Sequence, residues 1–178
     1  MAYEIISEFD KYLKANKSAF TAVAIGGVPL NLLGIISRET RDCDIIDPVI
    51  PKEIEELALD FAKKNRTQGG TIEDKWFNNG PISLKDKLPD GWQKRLQLIF
   101  KGDALTLFCL GREDLLKTKL LGLCDRAIDK PDCIAMNPTR DELRNAATWL
   151  KDQDGNPMWP EHVDEMLANV AKDLGYEL

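Results

Sequence analysis

Residues 19–47 constrain this chain more than any other stretch. Residues 19–25 are an unbroken run of small, apolar and β-branched residues, which predicts a buried strand. Gly26-Gly27 interrupts it, and residues 28–33 resume as a short apolar helix, with Pro29 tolerated in the first turn and Gly34 as its stop. A second strand follows at 43–46 and ends at Asp47-Pro48. Strand, glycine turn, helix and strand in immediate succession predict a mixed α/β core.

The remaining segments extend that core. Ile5, Phe9 and Leu13 recur at a spacing of four, predicting a helix over 3–15, and Ile54, Leu57 and Phe61 mark an amphipathic helix over 51–65. Gly69-Gly70 and Asn78-Asn79-Gly80-Pro81 punctuate a loop-rich middle. Residues 95–100 and 104–110 read as strands joined by Lys101-Gly102-Asp103, a hairpin. Helices are expected at 113–126, at 141–151 behind a Thr139 cap, and at 160–174. The expected architecture is an α/β (α+β) mixed sheet of about four or five strands flanked by helices. Its boundaries are a core over 1–110 and a C-terminal helical segment over 111–178 packed on that core.

Composition narrows the function classes. The 178 residues are 43% hydrophobic and 30% charged, the balance of a globular domain with a core. No apolar run is long enough to span a membrane, and the N-terminus lacks a basic and then apolar leader. Cys43, Cys109, Cys124 and Cys133 lack paired metal-site spacing and read as reduced thiols of a cytoplasmic protein. Five of the six net negative charges fall in residues 151–178, and the overall acidity argues against non-specific nucleic-acid binding. The basic run over 85–101 reads as a solvated face.

The chemistry concentrates around the glycine turn. Strand alternation places Asp42 and Asp44 on one face. Two neighbouring carboxylates repel unless a positive charge lies between them, and a divalent cation such as Mg²⁺ (or Mn²⁺) is the usual answer. Gly26 and Gly27 allow close approach of a ligand to the backbone, which suits phosphate. Metal on aspartates beside phosphate on glycines is the arrangement that nucleotidyl transfer needs. The alternative is plain pairing of Asp42 and Asp44 with Arg38, Arg41 or Lys119.

On the helix over 113–126, Lys119 shares a stripe with Leu115, Leu116, Gly122 and Leu123, with Arg126 further along it. An ammonium there needs an anion: a nucleotide phosphate, or a carboxylate such as Asp42, Asp44 or Asp129. Lys117 instead faces Glu113 and Asp114 as a surface pair. His162, the only histidine, reads as a surface residue, which excludes histidine-based triads. Cys43 points away from the aspartates into the core. Trp76 and Phe77 read as packing residues, with base stacking as the alternative.

The order Gly26-Gly27, Leu33-Gly34, Arg38, Thr40, Asp42-Cys43-Asp44-Ile45 resembles the nucleotidyltransferase superfamily typified by DNA polymerase β. Within it, the stretch is similar to the bacterial AbiEii-like toxins of abortive-infection and toxin–antitoxin systems. Asp114-Leu115, Lys119, Arg126, Asp129 and Asp132 continue the resemblance, which covers residues 19–135. It implies transfer of a nucleoside monophosphate from an NTP to a protein hydroxyl, a tRNA end or a small molecule. It implies Asp42 and Asp44 as metal ligands, Asp42, Asp44 and Lys119 as catalytic residues, and Gly26, Gly27, Thr40, Lys119 and Arg126 as nucleotide contacts. It also implies a cognate partner protein. Two departures stand out. Val28-Pro29 follows the glycines where a serine is usual, and the strands at 95–100 and 104–110 carry no third carboxylate, leaving Asp103 in their turn as the nearest acid. A non-catalytic nucleotide- or partner-binding protein on the same fold is the alternative reading.

Overall fold

A computed structural model describes residues 2–178 as two compact units. The first runs to Leu88 and includes Gln93–Leu110; the second comprises Pro89–Trp92 and Gly111–Leu178.

The first unit contains α1 (Ala2–Ala15), β1 (Phe20–Ile25), α2 (Gly27–Leu32), β2 (Cys43–Asp47), α3 (Lys52–Thr67), β3 (Phe77–Asn78), β4 (Gln97–Lys101) and β5 (Leu105–Cys109). The five strands form one mixed sheet in the order β3-β2-β1-β5-β4. β1 runs antiparallel to β2 and parallel to β5, β2 runs parallel to β3, and β4 and β5 form the expected antiparallel hairpin. The mixed five-stranded sheet flanked by helices is the architecture expected from the sequence.

Alternation along the strands sends Ala22, Ala24, Cys43, Ile45, Phe77, Leu105 and Leu107 into one core with Phe9 and Leu13 of α1 and Ile54, Ala58 and Phe61 of α3. Trp76 belongs to this core, not to a nucleobase site. It is buried, its indole N–H donates to the Ala58 carbonyl at 3.1 Å, and its ring packs 5.1 Å from Phe9 and 5.7 Å from Phe61. Phe77 lies 5.4 Å from Trp76 in the same cluster.

One polar clip fastens the hairpin to α1. The buried Asp10 carboxylate accepts backbone N–H bonds from Asp103 (3.2 Å), Ala104 (2.8 Å) and Leu105 (2.7 Å). Gly102 lies so close to that carboxylate that any Cβ there would collide with it.

The second unit is helical: α4 (Arg112–Arg126), α5 (Lys130–Ala135), α6 (Arg140–Lys151) and α7 (Trp159–Asp173). Thr139 caps α6 as expected, in a full capping box with Glu142. Arg112 donates to Glu142 at 2.7 Å and holds its carboxyl below the usual range. Leu115, Leu120 and Leu123 of α4, Leu143 and Leu150 of α6, and Val163 and Leu167 of α7 are buried. His162 is not a surface residue: it is half-buried, with a ring nitrogen 2.9 Å from the Cys124 carbonyl and its ring tilted against Trp159 at 5.7 Å between centroids. Asp114 is buried as well, so it makes no surface pair with Lys117.

All four cysteines are buried free thiols. Burial pushes Cys109 and Cys124 up to about 11 and Cys133 to about 12. Thiolate is the reactive form, so native protein should show no rapidly labelled thiol at pH 8 and four after denaturation, measured by thiol titration. Rapid labelling of the native protein would overturn this. No helix among the described residues is long and apolar enough to cross a membrane.

Candidate active site

The site begins where β1 runs out. Gly26 has φ +80° and ψ −138°, a conformation that side-chain-bearing residues rarely adopt. It turns the chain from β1 directly into α2. The ladder places Ile25 opposite Asp44, so the aspartate lies next to that turn. A Cβ on Gly26 would stand 2.9 Å from Asp44 Oδ2. The missing side chain is what lets the carboxylate and the turn share one space.

The segment before β2 closes over the turn. A Cβ on Gly27 would be 2.6 Å from Thr40 Cγ2 and 3.8 Å from a guanidinium nitrogen of Arg38. The amide of Asn31 in α2 fixes this segment by donating to the Arg38 carbonyl at 3.0 Å. The side-chain atom of Thr40 that meets Gly27 is its methyl. α2 is only six residues long, so its dipole is small and Arg38 is the stronger nearby positive charge.

Asp42 is exposed and immediately precedes the ladder, so strand alternation does not fix its direction as the sequence pattern suggested. It lines a small cavity with Val28, Thr40, Cys43, Ile72 and Trp76. Asp44 is half-buried and alternates with the core-facing Cys43 and Ile45, so it points to the opposite face of the sheet. Both carboxylates act on Cys43. Burial, then the charges of Asp44 and Asp42, drive its thiol far above the usual range. Cys43 is thus a core residue, as expected.

β3, unforeseen in the sequence, supplies the far wall. It is parallel to β2, with Asn78 in register with Asp44. A Cβ on Gly80 would be 2.7 Å from Asn78 Oδ1 and 3.9 Å from Asp44 Oδ1. Asp44 is therefore bracketed by two glycines, Gly26 near one oxygen and Gly80 near the other.

Asp103 is not part of this site. β5 runs parallel to β1 with Leu105 opposite Phe20 and Cys109 opposite Ala24, so Asp103 lies beside the start of β1. That is a strand length, about 17 Å, from the glycine turn. Asp103 pairs there with Lys14. Among the described residues, no group of three or more His, Cys, Asp or Glu side chains is gathered to hold a metal. The carboxylate set against the turn is Asp44; Asp42, two residues earlier, lines the small cavity with Cys43 and Trp76. This donor set suits Mg²⁺, which is commonly held by one or two carboxylates together with substrate phosphates.

In the second unit, Lys119 is buried and donates to Asp132 at 2.7 Å and Asp129 at 3.2 Å. Its anions are these two carboxylates of its own unit. Arg126 is exposed and lies 3.6 Å from the other oxygen of Asp129. Gly122 allows the approach, since a Cβ there would collide with Asp129.

A mixed sheet whose first strand ends in a glycine turn, with an aspartate of the next strand set against that turn, is consistent with a nucleotidyltransferase-like fold. The chain belongs to the family described as nucleotidyltransferases of unknown function (DUF6036), which matches it over residues 2–136. That span takes in the first unit and continues through α4 and α5. No curated protein and no solved structure matches the chain.

Proposed function

We propose that this protein moves a nucleoside monophosphate from an NTP onto an acceptor at the site formed by Gly26, Gly27, Thr40, Asp42 and Asp44. The observation that carries the reading is the fit of Asp44 against Gly26, which no residue with a side chain could occupy unchanged. Asp42 and Asp44 would hold a divalent cation, Mg²⁺ or Mn²⁺, which when bound neutralises phosphate charge and activates the attacking oxygen. Gly26 and Gly27 let the phosphates approach the backbone. Arg38 supplies positive charge beside them, and Thr40 a hydroxyl. Lys119 and Arg126, which the family resemblance implies as triphosphate contacts, are proposed in that role as well. The likeness of residues 26–45 to AbiEii-like toxins extends the proposal to that branch and to a cognate partner protein.

A thermal-shift screen of the four NTPs with and without Mg²⁺ tests the reading. At least one Mg²⁺–NTP should raise the melting temperature, and Asp44→Asn should abolish the shift while the protein stays folded. An unchanged shift in Asp44→Asn would place nucleotide binding elsewhere. Gly26→Ala should also lose nucleotide binding, and should destabilise the protein by about 1 kcal/mol or more because of its positive φ. Arg126→Met tests the triphosphate contact: the NTP-dependent shift should shrink while apo stability changes by less than about 1 kcal/mol.

The presence of neutral Asn78 beside Asp44, with no third carboxylate there, favours a second reading: a nucleotide-binding protein that does not turn over. Incubation with α-labelled NTP and cell extract separates the two and identifies the acceptor. Label transferred to protein, tRNA or a small molecule supports the enzyme; binding without transfer supports the alternative.

A further inference from the structure

A groove between α1 and α3 lies on the side of the sheet away from Asp44, since both helices pack on the face that carries Cys43 and Ile45. Its volume is about 310 Å³, within the range of small-molecule sites. The Tyr12 and Phe61 rings, 5.6 Å apart, give it flat apolar surface. The charges of the two helices are sorted around it. α1 and α3 carry the cations Lys11, Lys14, Lys52, Lys63, Lys64 and Arg66. Lys14 pairs with Asp103, Lys52 with Glu56, Lys63 with Asp60 and Arg66 with Asp74. The remaining pair, Lys11 and Lys64, has no carboxylate partner among the described residues, and both line the groove. Lys64 rests instead over the Tyr12 ring, its ammonium 5.7 Å from the centroid. A cation–π contact at an exposed position is weak, so an anion nearby can draw the ammonium aside and leave the ring face to a second ring.

We infer that this groove binds a small aromatic carboxylate, its ring laid on Tyr12 and Phe61 and its charge held between Lys11 and Lys64. Charge complementarity selects the class. Glu8 is the carboxylate of the lining, and it too has no ion-pair partner among the described residues. Two ammoniums against one carboxylate leave a single net positive charge, which matches a monoanion. Glu8 would repel a dianion such as a phosphate monoester more strongly. The inference does not rest on the nucleotidyltransferase reading, because the groove shares no residue with the glycine turn.

Titration calorimetry with 2-naphthoate tests this. Wild type should bind the probe saturably at one site, and should bind 2-naphthamide, the same ring without the charge, at least about tenfold more weakly. Lys11 and Lys64 are exposed, so Lys11→Met and Lys64→Met should stay folded, and each should weaken 2-naphthoate binding several-fold. Glu8→Gln should tighten it, and should tighten 2-naphthyl phosphate by a larger factor. Lys63→Met removes a lysine that is already paired outside the groove and should bind as wild type does. Asp44→Asn should also bind as wild type does. Absence of saturable 2-naphthoate binding overturns the inference. Equal binding of the amide overturns it by showing an apolar surface only. It is overturned as well if both lysine variants bind like wild type, if Lys63→Met loses as much as they do, or if wild type prefers 2-naphthyl phosphate. Loss of 2-naphthoate binding in Asp44→Asn would put the probe at the glycine turn, and that too overturns it.

Discussion

Replacing Lys119 with methionine should lower the unfolding free energy of the nucleotide-free protein by about 3–5 kcal/mol, the scale for breaking a buried ion pair. Methionine keeps the length of the stem, so packing within the leucine stripe of α4 survives and the loss is electrostatic. Asp132 and Asp129 would be left facing each other with their cation gone, Asp132 almost fully buried. Arg126 cannot replace it, since it is exposed and meets the outer oxygen of Asp129. Urea denaturation of Lys119→Met and Arg126→Met side by side checks this. The first should shift strongly and the second by less than about 1 kcal/mol. An apo Lys119→Met protein as stable as wild type would show that the ammonium is not neutralised by these carboxylates. The comparison also fixes which variant can report on nucleotide binding: Arg126→Met can, because its empty form stays folded.

The second large effect lies at the Asp10 clip. Asp10→Ala would orphan three backbone donors, of Asp103, Ala104 and Leu105, at the entry to a central strand. About 1 kcal/mol or more for each gives an expected loss of about 3 kcal/mol. Gly102→Ala should cost a similar amount by pushing the carboxylate out. Burial acts to raise the Asp10 carboxyl, but the N–H donors of Ala104, Leu105 and Asp103 and the charge of Lys14 outweigh it and hold it below the usual carboxylate range. Its contribution is therefore complete above the ordinary carboxylate range and is lost as pH falls through the depressed folded value. Asp10→Asn keeps an oxygen for the two shorter bonds, so it should be milder at neutral pH and should flatten the acid limb of the stability profile. Denaturation curves at pH 7 and pH 3 test both parts; an acid limb in Asp10→Asn equal to that of wild type would remove Asp10 as its source.

Much of this fold is readable from residue patterns because the elements carry strong local signals. The apolar run of β1, the spacing of Ile54, Leu57 and Phe61 in α3, and the Thr139 cap each act within a few residues. The Gly26–Asp44 contact follows from two adjacent antiparallel strands and was legible for the same reason. What was not legible depends on pairing between distant segments. β3 is two residues long, too short for any periodicity, and the turn residues Asn78-Asn79-Gly80-Pro81 mask it. Asp103 looks close to the site in sequence order, but the parallel direction of β5 puts it at the other end of the sheet. α5 is six residues long with Pro131 in its first turn, too short to carry a helical periodicity. Lys119 announced that it needed an anion, a phosphate or one of Asp42, Asp44 and Asp129, while its pairing with Asp129 and the unforeseen Asp132 depended on where α5 folds back.

The position of β1 at the centre of the sheet bears on how the protein is made. Its pairing with β2 joins near neighbours along the chain, whereas its pairing with β5 must await residues 105–109. Distant pairings of this kind are slow to form, and domains generally fold N-terminal first during synthesis. The contact between Gly26 and Asp44 can therefore form on the ribosome before β5 is exposed, and β5 can seal β1 only once it has left the exit tunnel, by which time α4 has been made. A pause before β5 has left the ribosome should consequently lengthen the exposure of β1 and lower recovery of folded protein, and slowing translation at codon 110 against slowing it well downstream checks this by the yield of folded chain.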